Sequence, residues 1–302
     1  MNMLKLFLLI CILILLIVCC LYLKNVEQFS TNNIESILIC RKRKIFPNSL
    51  YSRGKIPTNK DKIITVYDTD FTYFIDIELS NIKKNTTLNI IGHEYISQDS
   101  SYNNYKNFLN NPNIIRVYAE DWKDSLHPKI VIFPIGFSSK ATIDGNETKM
   151  IHISKNQKKI EDKPLKILCN SHFKIHKKPK SGSYNQRQEV LDKLKNNNLV
   201  DFWKNKKNNE TTWKLHDNYS FELCPEGNGL DTHRFYEALL LNTIPIVKRN
   251  SLESMYIKFP CVIVDDWNDI TEKNCIKWKN ELKDRIHNEK YKLNMDFWYN
   301  KN

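Results

Sequence analysis

From residue 61 onward, short β-rich runs alternate with polar, helix-forming stretches, and that alternation admits few folds. Strands separated by helices form βαβ units with a parallel sheet. The expected strands of a first set are Ile63–Tyr67, Leu88–Ile91, Ile114–Tyr118 and Lys129–Phe133, with a helix over Ser101–Asn110. Asp144 to Asp162 is polar, charged and without clear periodicity, and reads as the interdomain connection. A second set follows: strand Leu165–Cys169, helix Asn185–Lys195, strand Ser220–Leu223, helix Asp231–Leu241, strands Ile244–Val247 and Cys261–Val264, and helix Asn274–Ile286. Two α/β halves of about 100 residues each are ordinary domains. The expectation is two Rossmann-like domains facing a cleft, with ligand bound beyond the carboxyl ends of the strands.

Ahead of these domains lies an unbroken apolar run of 18 residues, Leu6 to Leu23, between Lys5 and Lys24. At about 1.5 Å per helical residue it spans a bilayer core of roughly 27–30 Å. It ends Val18-Cys19-Cys20-Leu21-Tyr22, which offers no small-residue cleavage site, so it reads as a signal anchor and not a removed leader. The division expected is an anchor over 1–24, a stem over 25–60 with one strand at Ser36–Cys40, a first domain over 61–160 and a second over 161–302. The short N-terminus implies a type II single-pass protein with residues 25–302 in a lumenal, Golgi- or ER-like, or otherwise non-cytosolic space.

The net charge of +12 favours anionic partners. The basic clusters Arg41 to Lys44 and Lys204 to Lys207 have no interleaved aromatics and no nucleic-acid motif, so no nucleic-acid partner is expected. No CxxC or Cys/His spacing marks a zinc site. The five cysteines beyond the apolar run leave room for one or two bridges if the domain is lumenal.

The chemistry concentrates between Phe221 and Arg249. Two of the chain's 7 glycines, Gly227 and Gly229, flank Asn228 between a strand and a helix, where backbone must approach a ligand closely. Asp231 and Thr232 are N-cap types, and the helix they open has a positive dipole end suited to phosphate. Arg234 and Glu237, three apart, share one helix face. Arg234 offers a planar fork of donors to phosphate, and Glu237 accepts from ribose or sugar hydroxyls. The buried strand after Thr243 delivers Lys248 and Arg249 at its carboxyl end.

The run Cys224-Pro-Glu-Gly-Asn-Gly-Leu-Asp-Thr-His-Arg-Phe-Tyr-Glu-Ala-Leu, followed by Thr-Ile-Pro-Ile-Val, resembles the exostosin-type glycosyltransferases. More distantly it is similar to the fucosyltransferase motif, which also ends in a Glu-bearing helix and a small-x-Pro-Val strand. His127 to Gly136 resembles the strand and loop before the second domain of such proteins. The resemblance implies a GT-B fold, a UDP- or GDP-sugar donor in the C-terminal domain, a glycan or glycoprotein acceptor and no obligatory metal cofactor. By position it implies donor contacts from Gly227, Asn228, Gly229, Asp231, His233, Arg234 and Glu237. Asn242, where the family has Gly, and Glu226, where many members are basic, depart from its pattern.

Inverting transfer needs a general base near the acceptor. His93 and Glu94, after the strand ending at Ile91 and Gly92, are the expected pair. Asp68-Thr-Asp70, after the strand Ile63–Tyr67, supports an alternative: a metal-dependent GT-A transferase, against the plain reading of an Asx-type turn. A third reading is a glycan-binding membrane protein without catalysis.

Overall fold

The computed structural model describes residues 50–52, 56, 62–92, 108–122, 127–138, 146–171, 185–203, 208–227 and 229–299. The apolar run 6–23, the stem strand expected at Ser36–Cys40, and His93, Glu94 and Asn228 lie outside them. Among the described residues, no helix is long and apolar enough to cross a membrane.

Two all-parallel sheets carry the chain. The first comprises β1 (Ile63–Tyr67), β2 (Thr86–Ile91), β3 (Ile114–Ala119) and β4 (Ile130–Ile132), in that spatial order. Leu88 stands opposite Ile64 and Val117, so apolar side chains stack across neighbouring strands. Helix α1 (Asp68–Tyr73) follows β1 directly, so Asp68 and Asp70 occupy a helical turn where an Asx-type turn was expected.

The second sheet comprises β5 (Ile167–Cys169), β6 (Val200–Phe202), β7 (Phe221–Leu223), β8 (Ile244–Lys248) and β9 (Val262–Val264), in the order β6-β5-β7-β8-β9. The chain leaves β5 for β6 on one side, then returns to β7 on the other. With right-handed crossovers on both sides, the connections after β5 and β7 depart to opposite faces of the sheet. This is a topological switch point, where open α/β sheets bind ligands.

Asn146–Lys155, expected within a connection, is a helix, α2. Its Met150, Ile151 and Ile153 are buried in the second core. That core also receives Tyr118, Ile132, Phe133, Ile135 and Phe137 from the end of the first sheet. The remaining α-helices among the described residues are α3 (Asn185–Leu194), α4 (Asn209–Leu215), α5 (His233–Leu240), α6 (Glu253–Tyr256), α7 (Glu272–Asn288) and α8 (Met295–Tyr299). Trp298 of α8 meets Phe133 edge to face at 6.2 Å and stacks on Phe259 at 5.4 Å. Helix α8 therefore binds the lobes together. Cys169, Cys224, Cys261 and Cys275 are free, so no bridge forms among the described cysteines.

Helix α5 is anchored at its carboxyl end by two lysines. Lys163 Nζ donates to Leu241 O at 2.7 Å and Thr243 Oγ1 at 3.1 Å, and Lys290 Nζ to Leu240 O at 2.9 Å. Cations there offset the negative dipole end. Burial pulls Lys163 down to about 7 from 10.5. Between those values the unfolded chain binds a proton that the folded chain does not, so stability rises with pH from about 7 to about 10.5 and is flat below. Lys163→Met is expected to flatten that rise by a few kcal/mol. Urea unfolding from pH 7 to pH 10 checks it, and an unchanged slope contradicts it.

Candidate active site

The site is built on the carboxyl ends of β5 and β7. After β7 the chain runs through Cys224–Thr232 into α5. Gly227 N donates to Gly229 O at 3.0 Å, which closes a tight turn before the helix. Helix α5 begins at His233, two residues later than expected, and Thr232 holds the N-cap position without a side-chain cap. Arg234 projects from the first turn, and its Nε donates to Asn170 O just beyond β5, at 3.0 Å.

A second guanidinium, absent from the sequence-derived set, stands beside it. Arg187 lies in the first turn of α3, and its Nε donates to Glu226 O at 3.0 Å. Gln186 Oε1 accepts from Glu226 N at 3.1 Å, so the first turn of α3 holds both backbone polar groups of one loop residue. A Cβ on Gly227 would stand 2.7 Å from Arg187 Nη2, so glycine is what admits the guanidinium against the loop. Burial, with Arg234 as the next cause, pulls Arg187 down to about 10. Two positive groups thus share one site, Arg234 fixed by a carbonyl at the end of β5 and Arg187 by one in the loop after β7. The signal for Arg187 was its place in the first turn of the helix that follows β5.

Lys248 is placed differently from expectation. Its ammonium bonds both oxygens of Glu189, at 2.8 and 2.9 Å. Lys193 reaches the same carboxylate at 2.9 Å. The charge of Lys248 is therefore offset within this network, whereas Arg187 and Arg234 are hydrogen-bonded to backbone carbonyls at the switch point. Arg249 pairs with Glu253 and Asp265.

Glu237 lies one turn after Arg234. Its carboxyl is pushed up to about 7, first by burial and then by Glu222, against the opposing pull of Arg234, His216 and the Trp213 indole. It therefore gains or loses a proton near neutrality. Beneath it, His216 Nε2 lies 2.9 Å from Glu222 Oε2 and His216 Nδ1 lies 2.9 Å from Thr212 O, with both residues 1% exposed. A carbonyl only accepts, so Nδ1 carries a proton. The Cys169 and Cys224 thiols are pushed up by burial, Cys169 to about 12, and stay protonated, which removes them as nucleophiles.

Asp231 and His233 face the first lobe. His233 Nδ1 donates to Gly136 O at 2.6 Å, and Gly136 takes a φ of 69° that favours glycine. Asp231 is 5% exposed. Its carboxylate accepts from Thr232 N at 2.8 Å, from Ile135 N at 3.0 Å and from the Tyr236 hydroxyl. Among the described residues, no group of three or more His, Cys, Asp or Glu side chains is placed to hold a metal ion.

Two guanidiniums with the first turns of two helices, at a switch point, are groups of the kind that can hold a diphosphate. The same groups can stabilise a departing pyrophosphate-type anion through preorganised charge.

No family model matches the chain. No curated protein matches it. Among solved structures it is similar to an α-glucosyltransferase in complex with UDP and a 13-mer DNA containing an HMU base, at 13% identity and a TM-score of 0.32, over 83% of this chain and 88% of that one. It is similar at the same identity and TM-score to an α-glucosyltransferase with UDP and a 13-mer DNA containing a central A:G mismatch, and to one with UDP alone. At that level of likeness, the functional assignment rests on the chemistry of the site itself.

Proposed function

We propose that the protein is a glycosyltransferase of GT-B type, which binds a UDP- or GDP-sugar in its second lobe and passes the sugar to a glycan or glycoprotein acceptor. One observation carries the reading: Arg187 and Arg234 converge from two different helices on the β5–β7 switch point, each pinned to a backbone carbonyl. That geometry suits a diphosphate, and a UDP- or GDP-sugar releases its nucleoside diphosphate when the sugar passes to the acceptor. Glu237, on the Arg234 face of α5, is assigned to the ribose or sugar hydroxyls. No metal is required, because the guanidiniums and helix ends supply the positive charge.

The general base is assigned to the loop after β2, to His93 or Glu94. Gly92, which leads into it, donates its N–H to Glu120 Oε2 at 2.9 Å. Residues 6–23 are assigned to a membrane anchor, with the two lobes outside the cytosol. The exostosin-like subtype remains part of this proposal and rests on the Cys224–Asn250 segment.

A thermal-shift screen of nucleotides and nucleotide sugars tests the reading. UDP or GDP at 100 times Kd adds about 2.7 kcal/mol. That raises the midpoint by roughly 5 °C or more, whereas the nucleoside alone does not. No shift with any diphosphate at millimolar concentration would remove the reading. Transfer abolished by chelator and by Asp68→Ala or Asp70→Ala would favour the metal-dependent alternative. Binding without transfer or hydrolysis would favour the glycan-binding one.

A further inference from the structure

The loop that leads to Arg234 is fastened to the other lobe. Asp231 N donates to Asp121 Oδ1 at 2.8 Å, 110 residues earlier in the chain. Asp121 follows β3, is 2% exposed and takes a φ of 56°. A non-glycine residue in that left-handed region is held there by its surroundings. The Asp231 carboxylate turns the same way and accepts from the Ile135 amide, just after β4. His233 reaches Gly136 beside it. Two strand ends of the first sheet are thereby bonded to the residues on either side of the α5 N-cap, ahead of Arg234.

We propose that Asp231 is a positioning residue, which registers the α5 guanidinium against the first lobe and does not itself bind the donor. Its carboxylate is committed to two amides and the Tyr236 hydroxyl, and its amide to Asp121. The inference rests on the transferase reading for its kinetic consequence. Donor affinity draws mainly on Arg187, Arg234 and Glu237, all in the second lobe. Attack on the donor also needs a base and a nucleophile set by the first lobe. Loss of register therefore acts on the chemical step more than on binding, and a misplacement of about 1 Å costs roughly 100-fold in rate.

The test compares Asp231→Asn and Tyr236→Phe with wild type. The amide of Asn offers one acceptor where three donors converge, so D231N breaks the hub without changing its size. Tyr236→Phe removes a single donor and is the milder variant should D231N fail to fold. UDP and GDP affinity is measured by calorimetry, hydrolysis of UDP- and GDP-sugars gives kcat and KM, and amide exchange at Ile135 and Asp231 reports the latch directly. The expected result for D231N is a kcat lower by about 100-fold, affinity within about threefold of wild type, and faster exchange at both amides. Tyr236→Phe follows in the same direction with smaller changes. Affinity that falls in step with kcat, while the Ile135 amide exchanges as in wild type, makes Asp231 a donor ligand and overturns the proposal. Unchanged exchange in both variants overturns it as well. If wild type binds no nucleotide, the transferase reading fails, and the exchange measurement alone still decides whether Asp231 joins the lobes.

Discussion

Arg234→Ala is expected to lose measurable affinity for UDP and GDP while the protein stays folded. Removing one partner of a desolvated charge contact costs roughly 2–4 kcal/mol, a factor of about 30 to 1000 in Kd. The fold loses little, because the side chain's hydrogen bonding among the described residues is a single bond to Asn170 O, and its departure relieves repulsion with Arg187. The change in unfolding free energy is expected to stay within about 1 kcal/mol. Lysine does not restore binding, since an ammonium lacks the planar fork that grips two phosphate oxygens. Arg187→Ala behaves alike. Gly227→Ala weakens binding by another route: the new methyl group falls 2.7 Å from Arg187 Nη2, and the flexible guanidinium gives way before the backbone does. Calorimetry with UDP and GDP, beside thermal unfolding, separates affinity from stability. Equal affinity in wild type and Arg234→Ala would sink the diphosphate site.

The parts of this site differ in how far they can be read from the chain. Strand β1 stands at the expected Ile63–Tyr67, and the other strands expected among the described residues fall within two residues of theirs, because β-branched runs bounded by polar residues carry a local signal. Strand β6 was not expected: Val200–Phe202 is three residues long, lies at the sheet edge and buries only its first residue well. Helix α2 escaped notice because its buried side includes Glu147 and Ser154 beside Met150, Ile151 and Ile153, which blurs the apolar stripe. Arg234 was legible, since a glycine turn, a cap and an arginine lie within one short segment. Arg187 was not, because its importance depends on β5 being the neighbour of β7, and strand order is not written in local pattern. Asp231 reads as a helix cap from its neighbours alone. Its bonds to partners 96 and 110 residues away appear only once the lobes meet.

The largest expected loss of stability comes from splitting the His216–Glu222 pair under the site. His216→Leu removes the ring that bonds the Glu222 carboxylate at 2.9 Å, and Glu222 then stands 1% exposed without that partner. Breaking a buried pair from one side costs about 3–5 kcal/mol, a large share of the roughly 5–15 kcal/mol that holds a domain folded. The double variant His216→Leu/Glu222→Leu removes both polar groups together and is expected to recover most of that loss, as buried pairs replaced by apolar groups often do. Urea unfolding of both single variants and the double variant closes the cycle. If the two single losses simply add in the double variant, the pair contributes nothing as a pair. Such a costly arrangement beneath Glu237 has a consequence for the site. Glu222 is, after burial, the main cause that pushes Glu237 up to about 7 from 4.5. A carboxyl raised on folding holds its proton longer in the folded state, so its contribution to stability is full below about 4.5 and is lost as pH rises toward 7. Glu222→Gln keeps a partner for His216 and removes the neighbouring charge. The Glu237 titration should then move to lower pH, and the window of pH-dependent stability should shrink from its upper end. A carbon-13 titration of the Glu237 carboxyl in Glu222→Gln reads that movement directly, and an unmoved midpoint would leave burial alone as the cause.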